Sequence, residues 1–204
     1  MVWFNEGLTA VYLLGHLGFT ALAGRLGWSA GERYRAFPPL NYWWLLLGSM
    51  APDLLDKPIG SLLLSNGRWL GHSLLAILLA TGIVWLLAGR ALDSSSPLAD
   101  AGVFLFGSLM HLLLDMPGLA YQTVFFPLFG ADFSWIPADS NWNSFLHGVE
   151  STYVWVTEFT GLFFLGLLAY HHHLSRHWWV LGGLAVVGYL VLYSVLYFFW
   201  VLNV

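Results

Sequence analysis

Histidine and aspartate side chains recur within apolar stretches of this sequence at spacings that suit a metal ion. His111 and Asp115 lie four residues apart, so a helix would direct both side chains toward one ion. Asp53 and Asp56 lie three residues apart and can do the same, or one can ligate while the other orients a histidine. Because ionisable groups in apolar segments are costly and by default mark function, these pairs predict a buried metal site.

Two further histidines, His16 and His72, stand in other apolar stretches. Taken alone, His16 is simpler to interpret as a hydrogen bond between helices, and His72 as an interfacial histidine. The chain has no cysteine, which excludes thiolate ligands and disulfides. A donor set of nitrogen and oxygen suits zinc, manganese or iron.

The composition places these residues in a membrane. The chain has 204 residues, of which 58% are hydrophobic and 9% charged, and its mean hydropathy is +0.71. Soluble domains carry about 25% charged residues, which cover their surface. The composition therefore excludes an ordinary cytosolic domain, a nucleic-acid binder with a basic surface and a disordered chain. It predicts an integral membrane protein in contact with lipid.

Apolar stretches predict the helices that position the candidate ligands. A spanning helix needs roughly 20 apolar residues. Six stretches approach this length, the second and fourth being short: 7–24, 38–52, 69–89, 101–114, 151–170 and 178–204. The segment 117–143 is rich in Pro, Gly, Asp and aromatic residues and is predicted to be an interfacial loop between the fourth and fifth spans. We therefore predict one all-α domain over residues 1–204, a polytopic six-helix membrane bundle whose metal-site core covers about residues 7–158.

The distribution of basic residues predicts the orientation of the bundle. Alternating the sides of the predicted spans assigns five basic residues to one face: Arg25, Arg33, Arg35, Arg90 and Arg176. The other face receives Lys57 and Arg68. Because the face richer in Lys and Arg is cytoplasmic, both termini are predicted to lie outside and the His/Asp layer near the outer leaflet.

Other polar residues have simpler interpretations. Glu158 is predicted to bond to a neighbouring helix, and the run His171 to His173 to be a solvated cluster at the opposite interface. Arg68 either reaches lipid head groups or holds a phosphate. Its place four residues before His72 favours the phosphate.

The order of the motifs resembles the membrane-bound metal-dependent hydrolases, a family also described as LexA-binding, inner-membrane-associated hydrolases. The resemblance rests on His16 and on four motifs: Ala-Pro-Asp-Leu-Leu-Asp (51–56), Gly-Arg-Trp-Leu-Gly-His-Ser (67–73), His-Leu-Leu-Leu-Asp (111–115) and Phe-Phe-Pro-Leu-Phe (125–129). The motif at 67–73 departs from the family's usual His-Arg-Gly-x-Thr-His-Ser, because Gly67 replaces a histidine and Gly71 a threonine. The resemblance implies a multi-pass protein of the inner (plasma) membrane of a prokaryote.

The same order of residues is similar, more distantly, to the zinc phospholipase C and S1/P1 nuclease superfamily, whose all-helical members hydrolyse phosphoesters. That similarity implies that Asp53, His72, His111 and Asp115 surround one ion, and that Asp115 bridges to a second ion held by His16. The expected cofactor is therefore zinc, one or two ions, with manganese or iron as alternatives.

Together these observations predict a membrane-embedded, metal-dependent hydrolase of lipid or lipid-like phosphoesters that uses metal-activated water. Asp53 or Asp56 would orient the water or take its proton, and Arg68 would neutralise phosphoryl oxygens. The remaining candidates for substrate contact are Lys57, Ser73 and Glu150.

Two alternatives belong to other functional classes. The same residues could form the transit site of a divalent-cation transporter or channel, or a closed structural metal site in a non-catalytic membrane protein. A transporter needs a polar path to both faces, and the predicted inner half of the bundle offers few polar residues. A structural site is closed and four-coordinate, whereas a catalytic site keeps an open position.

Overall fold

The computed structural model describes residues 13–33, 39–59, 69–115, 121–130 and 152–172. Within these ranges the chain forms helices and no strands. The α-helices are α1 (Leu13–Arg33), α2 (Tyr42–Ile59), α3 (Leu74–Arg90), α4 (Pro97–Asp115), α5 (Tyr121–Val124) and α6 (Thr152–His172). Among these residues, one 3-10 turn, Leu70–His72, ends just before α3. The all-α prediction is confirmed.

The helices overlap the predicted spans but differ from them at their ends. Helix α2 continues beyond the predicted end at residue 52 and carries both Asp53 and Asp56, and α4 ends on Asp115 itself. Helix α1 runs on to Arg33 rather than ending at residue 24. Charged residues ended the predicted spans because hydropathy falls there, but a charge does not interrupt a helical backbone. The sixth span and most of the interfacial loop lie outside the described residues.

Among the described residues, α4 alone is long and apolar enough to cross a bilayer, at 19 residues. Helix α3 and the stretch Val154–Ala169 of α6 are apolar but shorter. The outer surface of α3 is covered by large apolar side chains, including Leu78, Leu79 and Ile83, each more than half exposed. A polytopic arrangement of six spans therefore stays a prediction.

Helix α4 lies at the centre of the described structure. It packs against α1, α2 and α3, while α1 packs against α2 and α6. Phe104 of α4 is buried with Ala101 and Val84 on one side, and Leu112 is buried with Ile77 further along the helix. This packing brings the end of α2, the 3-10 turn and the end of α4 to one end of the bundle.

The backbones of α2 and α4 touch where the helices cross. A Cβ atom on Gly107 would clash with the carbonyl oxygen of Leu45, and one on Gly48 would clash with the carbonyl oxygen of Phe104. Glycine at both positions allows this approach, which is the usual role of small residues between membrane helices.

A proline in α2 leaves a backbone carbonyl free to accept a hydrogen bond across this crossing. Pro52 has no N–H, so the carbonyl of Gly48, four residues earlier, lacks its helical donor. Ser108 of α4 takes that place, because its Oγ donates to the Gly48 oxygen at 3.0 Å. The crossing therefore fixes the register between the two helices that carry most of the candidate ligands.

We expect Gly107→Ala to destabilise the protein because the added methyl group meets backbone atoms of α2 that cannot move aside. Overpacking of this kind costs about 1–3 kcal/mol. The thermal midpoint in detergent measures it. Gly102→Ala on the same helix is the matched control, since nothing lies within 4 Å of its added Cβ. Equal midpoints for the two variants would contradict the close crossing.

Candidate metal centre

Two buried histidines place their Nε2 atoms side by side, and one oxygen from each of two aspartates lies within 3.8 Å of both nitrogens; we call these four atoms the four-donor cluster. They are His72 Nε2, His111 Nε2, Asp53 Oδ1 and Asp115 Oδ2. The two nitrogens are 3.3 Å apart. The Asp53 oxygen lies 3.6 and 3.8 Å from them, and the Asp115 oxygen 3.5 and 3.8 Å. All four side chains are buried.

Asp56 orients His72 from outside the cluster. Its Oδ2 lies 2.7 Å from His72 Nδ1 and also accepts the amide N–H groups of Trp69 and His72, while its Oδ1 accepts the N–H of Gly71 at 2.6 Å. A Cβ on Gly71 would lie 2.8 Å from Asp56 Oδ1 and 2.6 Å from the carbonyl oxygen of Pro52. Glycine at this position therefore lets the 3-10 turn close on this carboxylate.

The backbone of α2 orients His111. Its Nδ1 lies 2.6 Å from the carbonyl oxygen of Ser49. A carbonyl oxygen only accepts hydrogen bonds, so Nδ1 carries the proton and the lone pair lies on Nε2. The carboxylate of Asp56 fixes the tautomer of His72 in the same way.

The two Nε2 atoms therefore face each other as acceptors, next to two carboxylate oxygens that are acceptors as well. Acceptors at this distance repel unless a cation or a proton lies between them. Tetrahedral zinc with ligands at about 2.0–2.1 Å separates those ligands by about 3.3–3.4 Å. The measured separations of 3.3–3.8 Å are close to these values. The cluster could hold a divalent metal ion.

A second group of donors adjoins the first and shares Asp115 with it. His16 Nε2 lies 3.3 Å from the other oxygen of this carboxylate, Oδ1, and the His16 ring stacks on His111 at 4.0 Å between ring centroids. The contact with Oδ1 does not have the geometry of a hydrogen bond. Within the described part of the chain, neither His16 nitrogen has a hydrogen-bond partner, although the side chain is 1% exposed. His16, His111 and Asp115 could hold a metal ion as a group.

The other predicted site residues have different surroundings. Lys57 bonds to Asp53 Oδ2 from one turn further along α2, and its side chain is 31% exposed. Ser73 is buried and caps α3, because its Oγ accepts the N–H of Ala76 and donates to the carbonyl of Leu70. Arg68 and Glu150 lie outside the described residues, so their proposed roles stay predictions.

Two contributors to the site escaped the sequence prediction. The Ser49 carbonyl holds His111, and the amide of Gly71 holds Asp56. A backbone carbonyl that bonds to a histidine cannot be recognised from residue types, because every residue has a carbonyl group. Gly71 could have been singled out from the sequence, since it stands beside a candidate ligand where the family that the sequence resembles has a larger residue.

A comparison with known families finds one that covers nearly the whole chain. The model of the family described as YdjM inner membrane protein matches residues 12–200. No curated protein and no solved structure matches the chain. The match extends beyond the motifs that suggested a hydrolase, and its description concerns the membrane rather than a reaction.

Proposed function

The chain belongs to the YdjM inner membrane protein family, and on that premise we propose that it is a metal-dependent hydrolase of lipid phosphoesters. In this proposal it is a multi-pass protein that holds two divalent ions, preferably zinc. The four-donor cluster holds the first ion, and His16 with Asp115 holds the second.

One observation carries the catalytic part of the proposal: the two oxygens of Asp115 point to different donor groups. Its Oδ2 lies beside the imidazoles of His72 and His111, and its Oδ1 lies beside that of His16. Four protein donors would fill the coordination shell of one zinc ion, which is typical of a structural site. The position beside His16 has fewer donors among the described residues, so an ion there would keep coordination positions open for water and substrate.

The bridging carboxylate supports a pair of ions rather than a single one. A pair about 3.5–4 Å apart is the arrangement that many phosphoesterases use. When bound, the ions supply Lewis acidity, which activates water near neutral pH and polarises the phosphoryl group.

Three charged residues of α2 have distinct roles beside the ions. Both oxygens of Asp56 are occupied by the 3-10 turn, so Asp56 serves to position His72. Of the two aspartates on α2, Asp53 is the one that enters the cluster: its Oδ1 lies beside both histidine nitrogens and its Oδ2 bonds to Lys57, so Asp53 would serve as a ligand of the first ion. Lys57, partly exposed beside it, places a positive charge where phosphoryl oxygens would lie.

The position of the site supports a substrate reached from the bilayer. The cluster lies where α2 and α4 end, and Arg33 and Arg90 lie at the far ends of α1 and α3. If the arginine end is cytoplasmic, the site lies near the outer leaflet. The apolar outer surface of α3 supports contact with lipid next to the site.

The test is hydrolysis of a panel of phosphomonoester and phosphodiester lipids by zinc-loaded protein in mixed micelles. We expect Asp53→Asn to lower the zinc affinity, and with it the rate, by at least the roughly 10–100-fold that loss of an outer partner of a ligand costs, because Asp53 is itself a donor of the first ion. Asp100→Asn is the matched control, because Asp100 bonds to Asn41 and Ser94 at the opposite end of α4.

Two results would overturn the proposal. Protein that holds metal but hydrolyses no lipid of the panel would point to a structural site. Zinc flux into proteoliposomes would indicate a transporter, although the backbone contacts between α2 and α4 close that interface beyond the cluster.

A further inference from the structure

We infer that Glu158 of α6 is the positioning residue for His16, and that it thereby sets the affinity of the second metal position. The inference rests on the proposed function, because it assigns a role within the two-ion site. It concerns a carboxylate that does not itself reach either donor group.

Glu158 caps the beginning of α1. Its Oε2 accepts the N–H of Leu14 at 2.9 Å, and its Oε1 accepts the N–H of Gly15 at 2.8 Å. The first amides of a helix have no partner within the helix, and a negative charge there is favoured by the helix dipole. Both carboxylate oxygens are used, so Glu158 fixes the first turn of α1 against α6. The next residue along the chain is His16.

The two helices also touch directly beside this cap. A Cβ on Gly18 would clash with the backbone of Gly161, and a Cβ on Gly161 would clash with the carbonyl of Leu14. The first turn of α1 is therefore held on α6 by a charged hydrogen-bond pair and by backbone contact.

The orientation of the His16 ring depends on the packing of α1 against α6, whereas His72 and His111 are oriented by hydrogen bonds to their rings. His72 and His111 each have an acceptor that fixes Nδ1. Within the described residues neither nitrogen of His16 has such a partner. Its direction therefore follows from where α1 lies, and α6 determines where the first turn of α1 lies.

Because Glu158 holds the helix turn that carries His16, a substitution of Glu158 should change metal affinity at the second position and leave the first position unchanged. The four-donor cluster belongs to α2, α4 and the 3-10 turn, none of which Glu158 contacts through the hydrogen bonds described above. Glu158 holds His16 only through the backbone of α1, so its loss should cost less than loss of a direct outer partner of a ligand, which costs about 10–100-fold in metal affinity. We expect Glu158→Gln to weaken the second zinc by about 10-fold, the lower end of that range, and to leave the first unchanged.

The experiment is ¹¹³Cd NMR of cadmium-loaded full-length protein in detergent, together with zinc titration against a chelator. The wild type should give two cadmium resonances, and His16→Ala identifies the one that belongs to the second position. In Glu158→Gln that same resonance should shift or vanish while the other persists. Thr160→Val, on the exposed side of α6, is the control and should change neither.

The outcomes separate the inference from the function on which it rests. If Glu158→Gln leaves the His16 resonance and the second zinc affinity unchanged, or disturbs both positions equally, the positioning role is wrong. Fewer than two ions in the wild type would overturn the two-ion site itself and this role with it. Glu158→Asp keeps the charge, so partial recovery of the second affinity supports positioning over a general loss of folding.

Discussion

Replacing His111 by alanine is expected to lower the affinity for the first divalent ion by more than about 100-fold. Loss of an outer partner of a ligand already costs about 10–100-fold, and His111 is a donor itself. Its Nε2 lies 3.3 Å from His72 Nε2 and within 3.8 Å of both cluster oxygens, so its removal opens the shell. The measurement is zinc content by mass spectrometry after purification without chelator, followed by competition with a chelator.

A second variant and a control keep this result interpretable. His111→Gln fills more of the space beside Ser49 than alanine does, so a loss of metal in a folded His111→Gln protein does not reflect a collapsed core. His171→Ala, near the end of α6, should keep the full metal content, because the interfacial histidines are not predicted ligands. Wild-type protein without metal would make the cluster a proton-sharing network instead.

The spacing of polar residues predicted which side chains meet, because a helix brings residues three or four apart onto one face. His111 and Asp115 lie on one face of α4, and Asp53 lies near His111. The assembly of these side chains with His16 and His72 needed the packing of α1 and the 3-10 turn on α2 and α4. Spacing within one helix carries no information about that packing, so order along the chain and resemblance had to supply it.

The division of roles between the two aspartates of α2 could not be predicted from their spacing. Either one could have ligated while the other oriented a histidine. The 3-10 turn decides between them, since two of its backbone amides and that of Trp69 just before it surround Asp56 and leave Asp53 facing the cluster. The helix ends were misplaced for a related reason: hydropathy falls at Asp53, but α2 continues because these carboxylates have partners in the fold.

Asp56→Asn is expected to weaken binding of the first metal ion by about 10–100-fold through a change of histidine tautomer. The carboxylate accepts from His72 Nδ1, which leaves the lone pair on Nε2 for the ion. An asparagine amide offers one acceptor oxygen and an NH₂ group, while three backbone N–H groups also need acceptors here. When the NH₂ group faces Nδ1, the imidazole proton moves to Nε2 and blocks the metal position.

The same variant distinguishes a positioning role for Asp56 from a catalytic one. If Asp56 were the proton acceptor, Asp56→Asn would abolish hydrolysis and leave zinc affinity unchanged. If it positions His72, zinc affinity falls first, and excess zinc restores part of the rate. Asp100→Asn makes the same chemical change at the other end of α4, where the carboxylate bonds to Asn41 and Ser94, and should alter neither quantity. Chelator competition and lipid hydrolysis measured on the same preparations therefore decide which role Asp56 has.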